Sequence, residues 1–564
     1  MKSASKAKYA LYAVAVVAML LPVNAAFNGL PAEQDTSQAT LEVSRTSGGA
    51  VSMDLCTERH TVDTVTAPVA HPLMAAATLG TDVQVTAGEG LEIQPAIASD
   101  GSGNLFVGMI ADFGSGYNAY FTGSNDGGTT WADNAVAWQI DTPEYPDVDY
   151  WGEGTRFFGT MVPNPSASDG SELYVMEVGN PTDFDNYAMV YWDWADVGSG
   201  YTDFKAVNIG CDNGVEDYAY GGISIIGNHG SGLVDTPFFS YQATEDGTAW
   251  IYTFTSVDSD FTLEGCTSTS MDADPATHYA YPTWNYLDEQ TGLYNVYISV
   301  FDFGTWDEYQ GYPIHPGLGD VYINDSAVSV EYLDISAYNN NVVIVAQTSQ
   351  YGSPNKDITC YYSSDGLETI QTSTIAASQD SELYPKVVHT GSNQAIAIFV
   401  KNSNLYVTTT EDGGATWTEP EQVNDQDGTV ETTYSTYAAA DLCRSGTLWA
   451  DTRNGNSDLY YDEVAAPGPL LNVATISGGF GVTATITNSG SGDAENAEWS
   501  ITFDGPVFIG KEKTGAVTVP AGGEAEIKSG FIFGIGRATI RVQVEGASKS
   551  AEGLVLGPLV LGIE

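Results

Sequence analysis

Short runs of alternating apolar and polar residues, separated by Gly, Asp and Asn, dominate the chain from about Thr81 onward. Such runs are typical of β-strands, and few stretches show the 3.6-residue period of a long helix. The runs recur in units of about 51 residues, whose predicted first strands start near Pro95, Pro146, Pro282, Leu333, Pro385 and Thr436. Four short strands in about 50 residues are typical of a β-propeller blade.

The repeat predicts an all-β propeller over residues 81–466, with seven blades and six as the alternative. The interval from Pro146 to Pro282 is 136 residues, which leaves room for two units, and residues 221–225 are the predicted first strand of the second one. The last unit contains only three strands. A strand from the start of the propeller, around residues 83–86, is therefore expected to complete it and close the ring.

A second β-rich region, residues 467–564, follows Pro467. Its short alternating strands, with Gly, Asn and Asp in the turns, predict a small immunoglobulin-like β-sandwich. Residues 482–490 (VTATITNSG) and 519–523 (VPAGG) resemble adhesion-type sandwich modules of prokaryotic, often archaeal, surface proteins.

An eight-residue turn motif, S-x-D-x-G-x-T-W, follows the third run of three units. The residues that match the motif in its three copies are Ser124, Asp126, Gly128, Thr130 and Trp131; Ser363, Asp365 and Thr369; and Thr410, Asp412, Gly414, Thr416 and Trp417. The Asp is expected to accept hydrogen bonds from the following backbone, Gly permits a positive φ, and Trp fills the space beneath the turn. The motif resembles the Asp-box, or bacterial neuraminidase repeat, of the sialidase-like β-propellers. That resemblance implies a structural role for these residues.

Sialidases of this family hold the sugar carboxylate with three arginines, the first in an F-R-I-P motif. The matching stretch here is residues 92–95 (EIQP), with Ile93 where the family has arginine. The predicted propeller contains only Arg156, Arg444 and Arg453, and we interpret Arg453 as a structural tie within a hairpin. The resemblance therefore implies the fold without ordinary sialidase activity.

Acidic and aromatic residues recur just before the predicted first strands, where the mouth of a propeller channel is expected. The candidate ligand-binding residues are Glu92, Glu144, Tyr145, Asp217, Tyr218, His278, Tyr281, Glu331, Glu382, Tyr384 and Tyr434. Tyrosines stack on sugar faces, and carboxylates accept sugar hydroxyls or bind calcium, so calcium is a candidate cofactor. Packing between blades is the structural alternative for the same residues.

These features favour a recognition protein whose propeller binds a glycan or a surface protein. An exo-acting glycoside hydrolase or lyase with paired carboxylates is one alternative, and a structural surface component is another.

The N-terminal residues resemble a secretion signal. Lys2, Lys6 and Lys8 precede an apolar run, and a small-residue cleavage site predicts a signal peptide over residues 1–25. An uncleaved anchor is the alternative. Residues 26–80 are rich in Ser, Thr and Ala and are interpreted as an N-terminal extension. The chain is thus predicted to be secreted or held at the cell surface, with no integral membrane span after removal of the signal.

The net charge of −55 narrows the range of partners. Residues 27–466 contain 63 acidic and nine basic side chains, a surface that repels nucleic acid. The five cysteines are too few for a disulfide scaffold. Cys211 and Cys266 are the first disulfide candidate.

Overall fold

A computed structural model describes most of the chain from residue 78 to residue 563, together with residues 44–45, 49–50 and 58–61. The segments between residues 78 and 563 that lie outside the description are 88–89, 115, 133–134, 139–142, 151–156, 164–171, 179–181, 183–186, 194–200, 216–217, 230–232, 245–249, 257–262, 303–319, 325–327, 351–352, 435–438, 466–468, 470, 489–493, 521–522 and 545–546. The predicted signal peptide and most of the predicted extension also lie outside the described residues.

The chain divides into two compact units. One comprises Met1–Ser52 with Asp258–Thr262, and its described strands are β1 (Ser44–Arg45) and β2 (Gly49–Ala50), which pair antiparallel. The other unit comprises Met53–Val257 and Leu263–Glu564, and it contains every feature described below.

The described strands of the larger unit are grouped in sheets along the chain. Three short strands come first: β3 (Glu58–Thr61), β4 (Thr78–Leu79) and β5 (Val83–Gln84). Sheet I contains β6 (Leu91–Ser99), β7 (Leu105–Asp112), β8 (Tyr117–Ser124) and β9 (Ala135–Trp138). Sheet II contains β10 (Pro143–Tyr150), β11 (Phe157–Pro163), β12 (Glu172–Val178) and β13 (Tyr187–Asp193). Sheet III contains β14 (Tyr201–Val215), β15 (Tyr218–His229), β16 (Leu233–Thr244) and β17 (Trp250–Ser256).

Sheet IV is interrupted near its first strand. Its strands are β18 (Thr269–Ser270), β19 (Ala273–Asp274), β20 (Tyr279–Ala280), β21 (Thr283–Asp288), β22 (Leu293–Ser299), β23 (Phe301–Asp302) and β24 (Asp320–Asn324). Strand β18 pairs with β21, whereas β19, β20 and β23 form a small sheet of their own. Strand β3 adds in parallel to the edge strand β24.

Three further sheets follow. Sheet V contains β25 (Val328–Tyr338), β26 (Asn341–Gln350), β27 (Asp357–Ser363) and β28 (Gln371–Ala376). Sheet VI contains β29 (Leu383–Gly391), β30 (Gln394–Lys401), β31 (Asn404–Thr410) and β32 (Glu421–Gln422). Sheet VII contains β33 (Ala440–Cys443), β34 (Gly446–Asp451) and β35 (Asp458–Ala465).

The first strands of the sheets form a closed ring and are called inner strands below. They are β6, β10, β14, β18 with β19, β25, β29 and β33; each lies against the next, and β33 lies against β6. The fold is therefore the predicted all-β propeller type. Because the inner strand of sheet IV is split between two hydrogen-bonded groups, the blade number, seven against six, stays a prediction.

The ring closes as the sequence predicts. In sheet VII, β35 pairs with β5 through Tyr461 and Val83 and with β4 through Val464 and Leu79. Strands from the start of the propeller thus complete its last sheet.

The prediction of the first strand is wrong in sheets III and IV. In both sheets the selected residues belong to, or directly precede, a strand that follows the inner strand. Residues 221–225 lie in β15, the second strand of sheet III, because the long β14 precedes them. In sheet IV, Pro282 lies just before β21, after the short inner strands β18 and β19.

Apolar side chains pack mainly between neighbouring sheets. Val343, Cys360 and Phe399, for example, belong to one buried cluster that joins sheets V and VI. Another cluster joins sheets VII and I, with Leu448 and Tyr461 packed against Val107. Burial of these faces is the main apolar stabilisation of the ring.

The three eight-residue turns have one hydrogen-bond pattern. Asp126 Oδ1 accepts from the Thr130 backbone N–H at 2.9 Å, and Asp126 Oδ2 accepts from the Thr130 hydroxyl at 2.6 Å. The pairs Asp365–Thr369 and Asp412–Thr416 repeat both bonds. Ser124, Ser363 and Thr410 each accept a backbone N–H four residues on. These bonds, led by that of the Thr130 hydroxyl, lower the pKa of Asp126.

The tryptophans of the turns pack between sheets. Trp417 is buried between sheets V and VI and donates its indole N–H to the Gly414 carbonyl at 3.1 Å. The Trp131 ring lies 5.5 Å from the ring of Tyr461 in sheet VII.

The C-terminal region forms one hydrogen-bonded sheet. Its strands are β36 (Leu471–Asn488), β37 (Ala494–Asp504), β38 (Val507–Ile509), β39 (Glu512–Val519), β40 (Glu524–Lys528), β41 (Phe533–Val544), β42 (Ala547–Gly557) and β43 (Leu559–Leu561). All eight strands contribute to a single apolar core, and the edge strands β39 and β40 lie side by side. The immunoglobulin-like assignment and the domain boundary at Pro467 stay predictions. No helix among the described residues is long and apolar enough to cross a membrane.

Candidate functional site

The inner strands surround a polar cavity of about 260 Å³. Every inner strand contributes to its wall, through residues that include Ile97, Asp147, Ile209, Asp272, Asp334, Lys386 and Asp441. Most of these residues lie in the second half of their strands. At this end Leu471, Asn472, Ala547 and Ser548 of the C-terminal region complete the lining. Asn472 also donates its amide to the Ser102 hydroxyl at 2.6 Å.

Aspartates of the cavity tie neighbouring inner strands together. Asp147 and Asp149 of β10 accept the backbone N–H groups of Ile209 and Cys211 in β14, each at 2.7 Å. Asp441 of β33 accepts the N–H of Ile97 in β6 at 2.7 Å, which links the last sheet to the first.

The same arrangement continues around sheets IV to VI. Asp334 of β25 accepts the N–H of Val387 in β29 at 2.7 Å. Asp272, between β18 and β19, accepts the N–H of Ala337 at 2.8 Å and the hydroxyl of Ser336 at 2.9 Å. Each bond satisfies an inner-strand donor that would otherwise lack a partner in the adjacent sheet.

Lys386 is the main counter-charge of this aspartate cluster. Its Nζ lies 3.6 Å from Asp334 Oδ1 and 3.7 Å from Asp441 Oδ1. Burial opposes the ammonium charge, but the carboxylates of Asp334, Asp441 and Asp147 raise the pKa of Lys386 above its ordinary value. Burial also raises the pKa of Asp147 and Asp441. The cluster therefore combines the Lys386 cation with two carboxyls, those of Asp147 and Asp441, whose ionisation burial opposes.

A second group of charges lines the same cavity. Burial raises the pKa of Asp149 to about 7, with a further contribution from Asp272, whose own pKa burial raises to about 6. Arg444 opposes both shifts and lies over the Tyr338 ring at 5.4 Å. Burial, and then the charge of Arg444, lowers the pKa of His389 to about 3, so this buried imidazole is neutral at pH 7.

The opposite end of the inner strands carries several of the predicted mouth residues, but two of their carboxylates, and that of nearby Glu431, are buried. Glu92 and Glu382 are fully buried. Glu92 accepts the Thr86 hydroxyl, and burial raises its pKa to about 7. Glu431, a neighbour of predicted Tyr434, accepts the backbone N–H of Thr433 at 2.6 Å. The prediction that Glu92 and Glu382 face a ligand is therefore wrong.

Glu331 is more exposed than these carboxylates but is also internally paired. It bonds to Lys356, to the Gln347 amide at 3.0 Å and to the Ser349 hydroxyl at 3.1 Å. A ligand at this position would meet a charge that Lys356 already balances.

Aromatic side chains at this end are half-buried or exposed. The rings of Tyr332 and Tyr384 meet edge to face at 5.6 Å. Tyr384 lies near Glu431, and Tyr117 lies near both Glu431 and Tyr434. Tyr434 is the most open of them, with 56% of its surface exposed. We call Tyr117, Tyr332, Tyr384 and Tyr434 the aromatic rim.

The remaining predicted mouth residues do not join the aromatic rim. Tyr281 is fully buried in the core between sheets IV and V, so its predicted role as a sugar platform is wrong. His278 lies in the turn between β19 and β20, after the inner strand instead of before it. The side chains of Glu144, Tyr145 and Tyr218 and all of Asp217 lie outside the described residues.

Arg453 has the structural role that the sequence favours. Its guanidinium donates to Asp451 through Nε at 2.9 Å and Nη2 at 2.7 Å, and its Nη1 lies 2.6 Å from Asp82 Oδ2. It also lies 4.0 Å above the Tyr460 ring. Arg156 lies outside the described residues, and Arg444 faces the cavity at the other end.

The predicted disulfide is wrong. Cys211 and Cys266 are both buried and no bond joins their sulfur atoms. Cys211 lies on an inner strand, where its backbone is tied to Asp149, whereas Cys266 belongs to the core between sheets III and IV.

Within the described part of the chain, no group of three or more His, Cys, Asp or Glu side chains is arranged to hold a metal ion. Calcium therefore stays a prediction from composition. The aspartates that come together in the cavity are instead bound by backbone donors and by Lys386.

Sequence reasoning missed the cavity residues. Asp147, Asp334 and Lys386 lie two or three positions beyond the residues it selected, inside the same predicted strands. The signal was an alternation of polar side chains along these strands, as in Asp147-x-Asp149 and Asp334-x-Ser336, which places both members on one face.

No family model and no curated protein matches the chain. Among solved structures, a protein of unknown function from Dyadobacter fermentans aligns over 69% of this chain and 100% of its own, with 10% identity and a TM-score of 0.40. The Hadza microbial sialidase Hz136 aligns over 59% of this chain and 66% of its own, with 12% identity and a TM-score of 0.33. A Cellvibrio cellulosa α-L-arabinanase mutant aligns over 52% and 96%, with 11% identity and a TM-score of 0.28. At such scores function has to be argued from the site itself.

Proposed function

We propose that this protein is a secreted or cell-surface recognition protein that binds a glycan at the aromatic rim of its propeller. The observation that carries the proposal is the grouping of Tyr384, Tyr434 and Tyr117 around Glu431. Tyrosine faces stack on the apolar faces of sugar rings, and their hydroxyls remain available for hydrogen bonds. Glu431 is bound by the backbone of the same loop and therefore positions Tyr434.

The state of the neighbouring carboxylates favours binding over hydrolysis. A glycosidase needs two carboxyl groups that reach the scissile bond, one of them as a proton donor. Glu92 and Glu382 are buried, and Glu331 is paired with Lys356. These three described carboxylates therefore provide no free acid–base pair beside the aromatic rim.

A glycan array probed with the chain from Ala26 tests the proposal. We expect selective binding by the native chain and about tenfold weaker binding for each of Tyr434→Ala and Tyr384→Ala, which corresponds to about 1.4 kcal/mol per ring. Tyr362→Ala is the matched control, because Tyr362 lies on β27 and bonds to Gln371. Equal binding by all three variants would exclude the rim. A blank array with the native chain would favour a protein ligand or a purely structural surface role.

One observation supports an enzyme as the second candidate. Asp149 and Asp272 have pKa values near 7 and 6 within one polar cavity, which is the range of a general acid. An exo-acting hydrolase or lyase that uses them would release products from soluble glycans and lose turnover in Asp272→Asn. Product release that persists in Asp272→Asn and Asp149→Asn would exclude this pair. Binding without product release would support the recognition role and exclude catalysis of the tested glycans.

A further inference from the structure

One outer face of the C-terminal sheet is apolar and exposed. Ile535 of β41 pairs in register with Leu556 of β42, Leu556 pairs with Leu559 of β43, and Leu559 pairs with Phe480 of β36. Leu554 and Leu561 form a second cross-strand pair beside this row. Phe480 and Ile535 at its two ends are 67% and 63% exposed.

The alternation of the strands shows that these side chains point away from the core. Val555 and Val560, which lie between the exposed leucines, are buried in the core of the C-terminal region. The row crosses four adjacent strands and is therefore about 14 Å wide. We call this surface the apolar tip.

Aromatic side chains extend the apolar tip. Phe508 and Ile509 of β38 are 70% and 54% exposed, and Phe531 and Phe533 flank the start of β41. The ring of Phe531 lies 6.0 Å from that of Phe480, so the extension is continuous with the row. Together these exposed apolar side chains present about 900 Å², more than the few hundred Å² usual for the largest patch on a monomer.

The apolar tip lies at the end of the C-terminal region that is farthest along its strands from the propeller. Ala547 and Ser548, at the start of β42, line the propeller cavity. Leu556 is nine residues farther along the same strand, a distance of about 30 Å in an extended chain. The tip therefore extends well beyond the propeller surface at that junction.

The C-terminal region carries far less net negative charge than the chain that precedes it. Residues 467–564 contain ten acidic and six basic side chains, against 63 acidic and nine basic between residues 27 and 466. The segments 529–536 and 553–563, which supply most of the apolar tip, contain no acidic residue and no basic residue. Arg537, exposed and paired in register with Leu554, lies at the border of the tip.

We propose that the apolar tip is the interface through which two copies of this chain associate face to face. Its area is close to the 800 Å² or so that each partner contributes to a standard stable interface. A face of in-register strands can pack on its own copy about a two-fold axis. Contact at the tip keeps the two acidic propellers about 60 Å apart, many Debye lengths at physiological salt.

An anionic lipid surface is the competing occupant, and charge argues against it. A chain of net charge −55 is repelled by such a surface, whereas tip-to-tip contact confines the approach to the region with nearly balanced charge. The copy-to-copy interface also requires no contact from the propeller, so this inference stands apart from the proposed glycan site.

Analytical ultracentrifugation of the chain from Ala26 tests the proposal. We expect a monomer–dimer equilibrium whose dissociation constant rises at least tenfold in Ile535→Lys and in Leu556→Lys. Gln543→Lys is the matched control, because Gln543 is an exposed residue on the same strand as Ile535 but lies outside the apolar tip. Its dissociation constant should equal that of the native chain. Circular dichroism and thermal unfolding of each variant establish that it is folded.

Cross-linking provides a second readout that needs no destabilising charge. Leu559→Cys is expected to form a covalent dimer on mild oxidation, and Gln543→Cys is expected to remain monomeric on denaturing gels. A native chain that stays monomeric at all concentrations would overturn the proposal. Co-flotation of a monomeric chain with phosphatidylcholine or phosphatidylglycerol vesicles, lost in Leu556→Lys, would overturn it in favour of lipid.

Discussion

At the scale of single residues, the three eight-residue turns show where glycine is required. The second glycine of the first and third copies, Gly128 and Gly414, has φ of +89° and +101°. The second copy has Leu367 there at φ +75°, so its backbone strain is tolerated where the side chain is buried in the core. The turn therefore requires a left-handed backbone conformation (positive φ) at this position. Whether the residue must be glycine depends on the space around its Cβ.

Gly128→Ala should destabilise the protein more than Gly127→Ala. A Cβ at Gly127 would contact nothing within 4 Å, whereas a Cβ at Gly128 would lie 2.4 Å from the Tyr461 ring. We expect a loss of about 1 kcal/mol for Gly127→Ala, from backbone strain alone, and about 3 kcal/mol for Gly128→Ala. Urea unfolding of both variants measures the difference, and equal losses would contradict the packing argument.

Asp149 gives the protein a pH dependence with a defined sign. An unfolded aspartate has a pKa of about 3.9, and burial raises that of Asp149 to about 7 in the folded chain. Between these values the folded state binds more protons, so stability falls as the pH rises from about 4 to about 7. Thermal unfolding should give a lower midpoint at the upper end of this range than at the lower end.

Asp149→Asn should make this slope less steep, because the variant has no proton to lose at this position. Glu92 and Asp272, whose pKa values burial also raises to about 7 and about 6, keep their share of the slope. Glu411→Gln, at an exposed position in the third eight-residue turn, is the control and should keep the native slope. Parallel curves for the native chain and Asp149→Asn would show that another group causes the dependence.

At the scale of elements, strand runs and unit spacing predict most of the ring from sequence. The runs near Pro95, Leu333 and Pro385 lie in the inner strands of sheets I, V and VI. The prediction of residues 83–86 as the closing strand is confirmed by the pairing of β5 with β35. Regular spacing works there because each sheet is a single antiparallel meander with short turns.

In sheets III and IV the first strand was predicted wrongly, because hydrogen bonds from neighbouring sheets hold the inner strands there. Near its end, strand β14 contains Cys211-Asp212-Asn213-Gly214, a sequence typical of a turn. The segment stays extended because Asp149 and β15 bind its backbone. Strands β18 and β19 are only two residues each and are held by side chains: Ser270 and Asp272 accept N–H groups from sheet V. Hydrogen bonds from side chains of another sheet do not require alternating apolar residues. The sequence of these strands therefore carries no apolar periodicity from which they could be predicted.

The candidate site was predicted less well than the fold, and for a related reason. Sequence placed Glu92, Glu382 and Tyr281 at the propeller mouth, but residue type alone does not show whether a side chain faces the channel or the core. Tyr384, on β29, does lie near Glu431, and Glu431 accepts the backbone N–H of Tyr434 in its own loop. The aspartates of the cavity were missed because their partners are backbone donors of a different sheet, about 60 residues away for Asp147 and Asp149.

Arg453 gives the ring closure a test at the element scale. Its guanidinium joins Asp451, at the end of β34, to Asp82, which lies between β4 and β5. Arg453→Met leaves these carboxylates without their cation, and we expect a loss of about 3 kcal/mol or more. Arg453→Lys keeps the charge without the planar fork and should lose less.

Limited proteolysis measures the same effect locally. Cleavage near residue 80 should be faster in Arg453→Met than in the native chain, since β4 and β5 are tied through Asp82. Arg541→Met, on β41 in the C-terminal region, is the control and should leave this cleavage unchanged. A uniform increase at all sites would instead indicate general destabilisation.

At the scale of the whole molecule, charge sets the response to salt. The excess of 63 acidic over nine basic side chains between residues 27 and 466 makes the folded propeller repel itself. Added salt screens this repulsion, since the Debye length falls from about 20 Å or more at low salt to about 3 Å at 1 M. We therefore expect the unfolding midpoint to rise steadily between about 0.02 M and about 1 M NaCl.

Calcium and magnesium separate screening from specific binding in the same experiment. At equal ionic strength the two chlorides should raise the midpoint equally if screening is the whole cause. A larger rise with calcium that saturates with concentration would contradict screening alone, because a bound ligand stabilises through its own affinity. Such a result would show that the chain binds calcium, the candidate cofactor of the predicted mouth carboxylates. The site would then be sought at carboxylates other than those bound to backbone donors in the cavity.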